Sequence, residues 1–398
     1  MSWKTSMSKS NTTDLAQIGI FPVGKLFAPL VPAFNATTLV VNRYEELSPI
    51  SNSSLTEGNG SAFSGLYYGG IDTPTTLHLA HQIAKIEKGT FAVLAPSGQS
   101  AIHLLLAALI TPGDHLLVCD TTTYTTCWLF EQHFRALGID IEYFSPEDAC
   151  VLSHRMRANT KAVFWESPGS FTFELVDGKS IVEACRNHAV MTIMDNTWAA
   201  STFYHPLDDG VDVVVLSLTK SHAAAAGISL GAIITNNRSH FEKAKSVTAL
   251  LGSHVGSEAC ASAIQSMSTL GVRLSRQMAT TARMLKVLQG MNGIKRVFHP
   301  SLQNENNNIF DRDYTGFNSL VSIELEWSVS EVVERLNRLS VIKLGYGWGG
   351  TLSLANHFDP SGWTSAHRLG LSDSCVRFYF GLEDADEIEQ DLHRAFNS

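Results

Sequence analysis

The sequence predicts an α/β fold, with a mostly parallel sheet in a large domain and a smaller C-terminal α+β domain. Three observations carry that expectation. Between about residues 66 and 265, short apolar runs alternate with helical patterns, and runs apolar on both faces suit parallel strands covered by helices. Beyond Leu270 the pattern changes to one long helical stretch, then alternating strands. The chain has 398 residues, 44% of them hydrophobic, enough for a large core and for more than one domain.

Residues 1–65 are rich in Ser, Thr, Asn and Pro and end in the polar stretch Ser51 to Ser64. They read as an arm that contacts a neighbouring subunit. Within 66–265, the runs Phe91–Ala95, His115–Cys119, Ala162–Trp165, Val190–Met194 and Val213–Leu216 are the expected strands. In 266–398 the expected elements are a helix containing Arg273 to Leu288, strands such as Ser319–Leu325, and a closing helix after Glu383. The apolar stretch Ile18 to Phe34 is broken by Pro22, Lys25, Pro29 and Pro32, which excludes a membrane-spanning helix there. The polar first ten residues lack the layout of a secretory signal, so a soluble, cytoplasmic protein is expected.

A net charge of −9 with only 29 Lys and Arg argues against nucleic acid or an anionic membrane as partner. Six cysteines stand singly, with no metal-ligand spacing, which fits a reducing compartment. His78 and His81 have no cysteine or carboxylate nearby to complete a zinc site, so no metal is expected. Small polar ligands remain.

In parallel α/β sheets ligands bind at the carboxyl ends of strands, and four such places carry polar residues. Pro96-Ser-Gly-Gln-Ser100 leads into the helical Ala101–Leu109. That turn either serves packing or offers amides to a phosphate. Asp195 closes Val190–Met194, as a helix cap or as a buried carboxylate that needs a cationic partner. Lys220 follows Val213–Leu216 among small and apolar residues, with Ser217 and Thr219 before it. It is either a surface lysine or one whose lost hydration suits covalent carbonyl chemistry. Arg377 lies inside the apolar Val376–Phe380, facing water in an alternating strand or clamping a carboxylate. Together a lysine, an aspartate, an anion-binding turn and an arginine meet the needs of an amino-acid enzyme that uses pyridoxal phosphate.

The segments Phe164-Trp-Glu-Ser-Pro-Gly-Ser, Asp195-Asn-Thr-Trp-Ala-Ala, Thr269-Leu-Gly-Val-Arg-Leu, Arg312-Asp-Tyr-Thr-Gly, Gly345-Tyr-Gly-Trp-Gly-Gly and Phe380-Gly-Leu-Glu-Asp give the chain its family likeness. It resembles the Cys/Met-metabolism family of pyridoxal-phosphate enzymes, of the aspartate-aminotransferase-like fold, and within it the bacterial cystathionine β-lyases. The resemblance implies that residues 66–265 bind pyridoxal 5'-phosphate. It makes Lys220 the lysine that links covalently to the cofactor and Asp195 the partner of its pyridine nitrogen. Gly98 and Gln99 become backbone donors to the phosphate, with hydroxyls from Ser217 and Thr219. Tyr124 stacks on the cofactor ring, Arg377 takes the substrate carboxylate, and Trp348 lies in the matching loop. Tyr68 corresponds to a tyrosine that family members place in the adjacent subunit's site, so a homodimer or homotetramer with shared active sites is implied. Tyr68 and Tyr124 are both candidates to assist proton transfer.

Three stretches depart from the family pattern. Tyr68-Gly-Gly70 lacks the arginine that reaches the neighbour's phosphate, a contact of roughly 1.5–3 kcal/mol. Ala224-Ala-Ala-Gly227 replaces a Gly-His-Ser-Asp stretch, and Gly347 replaces a serine. His222 is a candidate to replace a lost polar contact, whereas Arg273 and Arg276 read as solvated or interface charges along a helix. The implied activity is a lyase of the cystathionine β-lyase type, acting on a small amino acid and releasing a thiol, pyruvate and ammonia. γ-Elimination or γ-replacement on an activated homoserine is the alternative, and a non-catalytic ligand-binding member the third.

Overall fold

The computed structural model describes residues 9–44, 68–302, 309–360 and 364–396; residues 1–8 and 45–65 of the expected arm lie outside them. The described part of that arm includes an antiparallel hairpin of β1 (Phe21–Val23) and β2 (Leu26–Ala28). Leu15, Ile18, Phe21 and Val31 are buried in the same apolar cluster as Leu79 and Ile83. This stretch therefore packs on its own chain, against the helix Pro74–Ile86.

The large sheet has seven strands: β3 (Phe91–Ala95), β4 (His115–Cys119), β5 (Asp140–Phe144), β6 (Thr160–Glu166), β7 (Met191–Asp195), β8 (Val213–Leu216) and β9 (Gly231–Thr235). Their order is β3-β9-β8-β7-β6-β4-β5. Every pairing is parallel except those of β9, which runs antiparallel to both β3 and β8. Each residue of β7 and β8 is buried, as expected of strands with helices on both faces. The five runs read from the sequence all appear. The two others lacked a conspicuous apolar run: β5 is an edge strand whose Asp140 and Glu142 pair with Arg157.

A second sheet of five strands follows: β10 (Ile294–Phe298), β11 (Leu320–Leu325), β12 (Lys343–Leu344), β13 (Leu354–Phe358) and β14 (Cys375–Tyr379). Its order is β10-β11-β14-β13-β12. The helices Leu270–Gln289 and Ala385–Phe396 cover it, burying Met284, Leu288 and Leu392 against Val321, Ile323 and Phe378. Because β14 lies between β11 and β13, Arg377 occupies the sheet interior.

Trp165 of β6 is the largest fully buried side chain. Trp165→Ala is expected to cost about 3–5 kcal/mol through lost contacts and a cavity; an unchanged midpoint in chemical denaturation would contradict this packing.

Candidate active site

The loops at the carboxyl edge of the large sheet and one end of the small sheet enclose a cavity of about 910 Å³. Its floor comes from strand ends: Ser97–Gln99 after β3, Thr123–Thr126 after β4, Glu166 at the end of β6, Asp195 at the end of β7, and Ser217, Thr219 and Lys220 after β8. The small sheet adds Arg377, Asn356 and Phe358, with Tyr346 and Trp348 from the loop between β12 and β13. Gly98, Gln99, Tyr124, Asp195, Ser217, Thr219, Lys220, Trp348 and Arg377 therefore meet in one place. Tyr68 does not line the cavity and is 47% exposed.

Ser97 caps the helix Gly98–Leu109 by accepting from the Ser100 amide at 3.0 Å. The first amides of a helix have no partner within it, so those at Gly98 and Gln99 are suited to an anion. Gly98 packs so closely on Ser217 that a Cβ there would lie 2.5 Å from the serine Cβ, so glycine is what brings the two sides of this cradle together. The Thr219 hydroxyl donates to the Leu230 carbonyl at 3.1 Å, and the Gln99 side chain to the Thr125 carbonyl at 2.8 Å. Of Gln99, the main chain is thus what faces an anion.

Four ionisable groups share the cavity without an ion pair among them. Asp195 Oδ1 accepts from the Thr197 amide at 3.0 Å and hydroxyl at 2.5 Å, while Oδ2 has no hydrogen-bond donor among the described residues. Burial pushes its acidity down, raising the pKa. A cation delivered to Oδ2 would favour the ionised form. Glu166 stands beside Asp195 in the parallel register; burial and then the Asp195 charge hold its pKa well above the ordinary range. Glu166 Oε2 accepts from the Thr123 amide at 2.7 Å, fixing the turn that presents Tyr124. Burial, followed by the nearby Arg377 charge, holds the Lys220 pKa below its usual value. The Lys220 Nζ lies 5.6 Å from the centroid of the Trp348 ring.

Arg377 is buried, and desolvation pushes its pKa down to about 10. Its Nη2 donates to the Tyr346 carbonyl at 2.6 Å and to Asn356 Oδ1 at 3.1 Å, and Phe171 lies under the guanidinium at 4.5 Å. No described carboxylate forms a salt bridge with it. Of the two readings the sequence allowed, the water-facing one is therefore excluded.

Arg273 corrects the sequence reading. It is buried within the helix Leu270–Gln289, while Arg276 is exposed. Its guanidinium donates to the carbonyls of Ser221 at 3.0 Å, Ser266 at 3.1 Å and Gly349 at 3.3 Å. One side chain thus ties the residue after Lys220 to the loop carrying Trp348. The two loops touch: Gly349 has φ +97°, and a Cβ there would lie 2.5 Å from the Lys220 carbonyl carbon. His222 also differs from expectation. It is buried, bonded to the Ser201 hydroxyl at 2.8 Å, and lies outside the cavity lining.

Glu166 and Phe171 were not singled out from the sequence. The strand-end rule that found Asp195 applies equally to Glu166, which closes Ala162–Trp165. Phe171 owes its position to a left-handed backbone, φ +64°, which no local sequence signal announces.

The family model described as Cys/Met metabolism PLP-dependent enzyme matches residues 25–397. A putative cystathionine β-lyase of Rhizobium johnstonii is 32% identical over 335 residues, 83% of this chain and 84% of that protein. The cystathionine β-lyase of Escherichia coli K12 is 30% identical over 339 residues, 83% of this chain and 86% of its own. Among solved structures, a cystathionine γ-lyase from Lactobacillus plantarum superposes with a TM-score of 0.86 over 98% of both chains at 22% identity, a likeness of fold. The residues present fit pyridoxal phosphate: an amide cradle for its phosphate, a buried carboxylate without a cation for its ring nitrogen, and a desolvated lysine between them.

Capture of the cofactor aldehyde needs the neutral Lys220 amine. Replacing Arg377 by Gln removes a cause that lowers the lysine pKa, so the pH dependence of borohydride-trapped adduct formation should move to higher pH; an unmoved midpoint would contradict the coupling. Arg273→Gln should lower kcat on the order of tenfold through misplacement of Lys220 and Trp348, with KM nearly unchanged and cofactor capture slowed, and Arg273→Lys should restore only part. Full recovery in Arg273→Lys would point to charge rather than the forked contact.

Proposed function

Because the chain belongs to the Cys/Met metabolism PLP-dependent enzyme family, we propose that it is a carbon–sulfur lyase that removes a thiol from a sulfur-containing amino acid by β-elimination. The observation that carries this reading is a pair of basic side chains facing one cavity: half-buried Lys220, whose amine is eased toward the neutral form, and buried Arg377, which forms no salt bridge with a described carboxylate. An α-amino acid brings what such a pair takes, a carboxylate for Arg377 and a Cα proton for the neutral Lys220 amine.

When bound, pyridoxal phosphate supplies an electron sink for charge developing at the substrate Cα. Lys220 Nζ takes the Cα proton, for which a lowered pKa is the required tuning. Asp195 Oδ2 would hold the positive charge of the ring nitrogen, and the bonds from Thr197 to Oδ1 keep the carboxylate in place. Arg377 fixes the carboxylate, so Cα stays over the lysine. The Cβ–S bond then breaks with its electron pair on sulfur, and the thiolate gains a proton. Water hydrolyses the remaining three-carbon enamine to pyruvate and ammonia.

Tyr124, 50% exposed at the cavity mouth, covers the ring face, and Tyr68 reaches the site of a neighbouring copy in a dimer or tetramer. The small residues of Ala224–Gly227 and Gly347 favour a second reading, γ-elimination or γ-replacement on an activated homoserine, since they remove polar groups beside Lys220 and Trp348. A panel of cysteine conjugates and acylated homoserines decides: pyruvate from the former supports β-elimination, and 2-oxobutyrate from the latter alone overturns it. Lys220→Ala should abolish keto-acid release and leave no borohydride-fixed cofactor; an adduct mapped to another lysine would refute the assignment.

A further inference from the structure

Two aromatic rings stand on the substrate side of the cavity, next to the carboxylate anchor. Phe171 and Phe358 pack with ring centroids 4.2 Å apart, and Phe171 also supports Arg377 from below. Neither position is incidental. Phe171 and Phe173 both hold left-handed backbone conformations, φ +64° and +53°, unusual for bulky side chains. The turn is pinned by bonds from the Gly169 amide to the Glu174 carbonyl, from Thr172 to Ser170, and from Phe173 to Gly169. The chain thus keeps a strained loop in order to present Phe171 to the cavity.

Glu166, Asp195 and Asp359 line the cavity, but among the described lining residues Lys220 and Arg377 are the only lysine or arginine; one takes the Cα proton and the other the α-carboxylate, which leaves no described lining cation for a second carboxylate. His357 is committed through Nε2 to the Asp373 carbonyl at 2.7 Å. A substrate ending in a second amino-acid head would bring another carboxylate next to two phenyl rings, and a desolvated charge without a partner is costly. An uncharged ring would instead meet edge or offset contacts with Phe171 and Phe358, in a cavity of about 910 Å³ with room beyond cysteine itself.

We propose that this enzyme selects thioether amino acids whose sulfur bears an uncharged aromatic group, and that Phe171 and Phe358 form the wall that receives it. The inference rests on the lyase reading and narrows its substrate class. It is tested with the cofactor-loaded enzyme by comparing kcat/KM for S-benzyl-L-cysteine, S-methyl-L-cysteine and L-cystathionine. The benzyl conjugate is expected to exceed cystathionine by about tenfold or more, within the range a hydrophobic pocket provides. In Phe358→Leu, and independently in Phe171→Leu, the benzyl-to-methyl ratio should fall several-fold; a ratio cancels any general loss of activity. Cystathionine used as well as or better than the benzyl conjugate, or a ratio unmoved in both variants, overturns the aromatic wall while the lyase reading stands. Silence toward all three thioethers overturns the lyase reading and this inference with it.

Discussion

Holding Asp195, Glu166, Lys220 and Arg377 around one cavity with little access to water, without letting them neutralise one another, is the constraint on which the architecture depends. Ion pairing would be the cheapest response to burial, and the fold prevents it by mounting each group on a different rigid element. Two carboxyls end neighbouring strands, the lysine follows a third, and the arginine comes from the other sheet. The result is a set of groups whose partners must arrive from outside: a pyridinium for Asp195, an aldehyde for Lys220, a carboxylate for Arg377. Glu166 is the exception, since burial and the Asp195 charge favour its uncharged form.

Rigid mounting demands that the two sheets keep a fixed relation, and Arg273 helps to secure it. Its guanidinium spends its donors on backbone carbonyls rather than a carboxylate, so it adds order without adding an anion to a site that depends on its charge count. The forked geometry suits two loops that approach from different directions. Gln277 extends the seam one helical turn on, donating to the Gly350 carbonyl and to the Tyr379 hydroxyl.

Much of this was legible in the sequence, and the misses have physical causes. Strand ends exposed Asp195 and Lys220 because parallel strands buried on both faces leave few polar residues to consider. Glu166 followed the same rule and was passed over inside a motif. The charge of Arg273 suggests a solvated or interface position, yet it falls in the stripe Leu270, Arg273, Leu274, Gln277, Met278, all buried. Helical spacing alone places it on the apolar face; charge type outweighed position in the reading. β9 gave no strong signal because a five-residue run of small and β-branched residues has little to distinguish it from a buried loop. The inward turn of Phe171 depends on backbone bonds across a loop, which no local pattern encodes.

The antiparallel β9 has a consequence for how the protein comes into being. It stands between β3 and β8, and Phe91 pairs with Thr235, so the Ser97–Gln99 turn reaches the Ser217–Lys220 segment only after most of the large sheet has been synthesised. Pairings this distant along the chain form late because loop closure precedes any reward. Gly231 of β9 also packs on Ser97, so the anion cradle beside Lys220 assembles only once the last strand of the large sheet is in place.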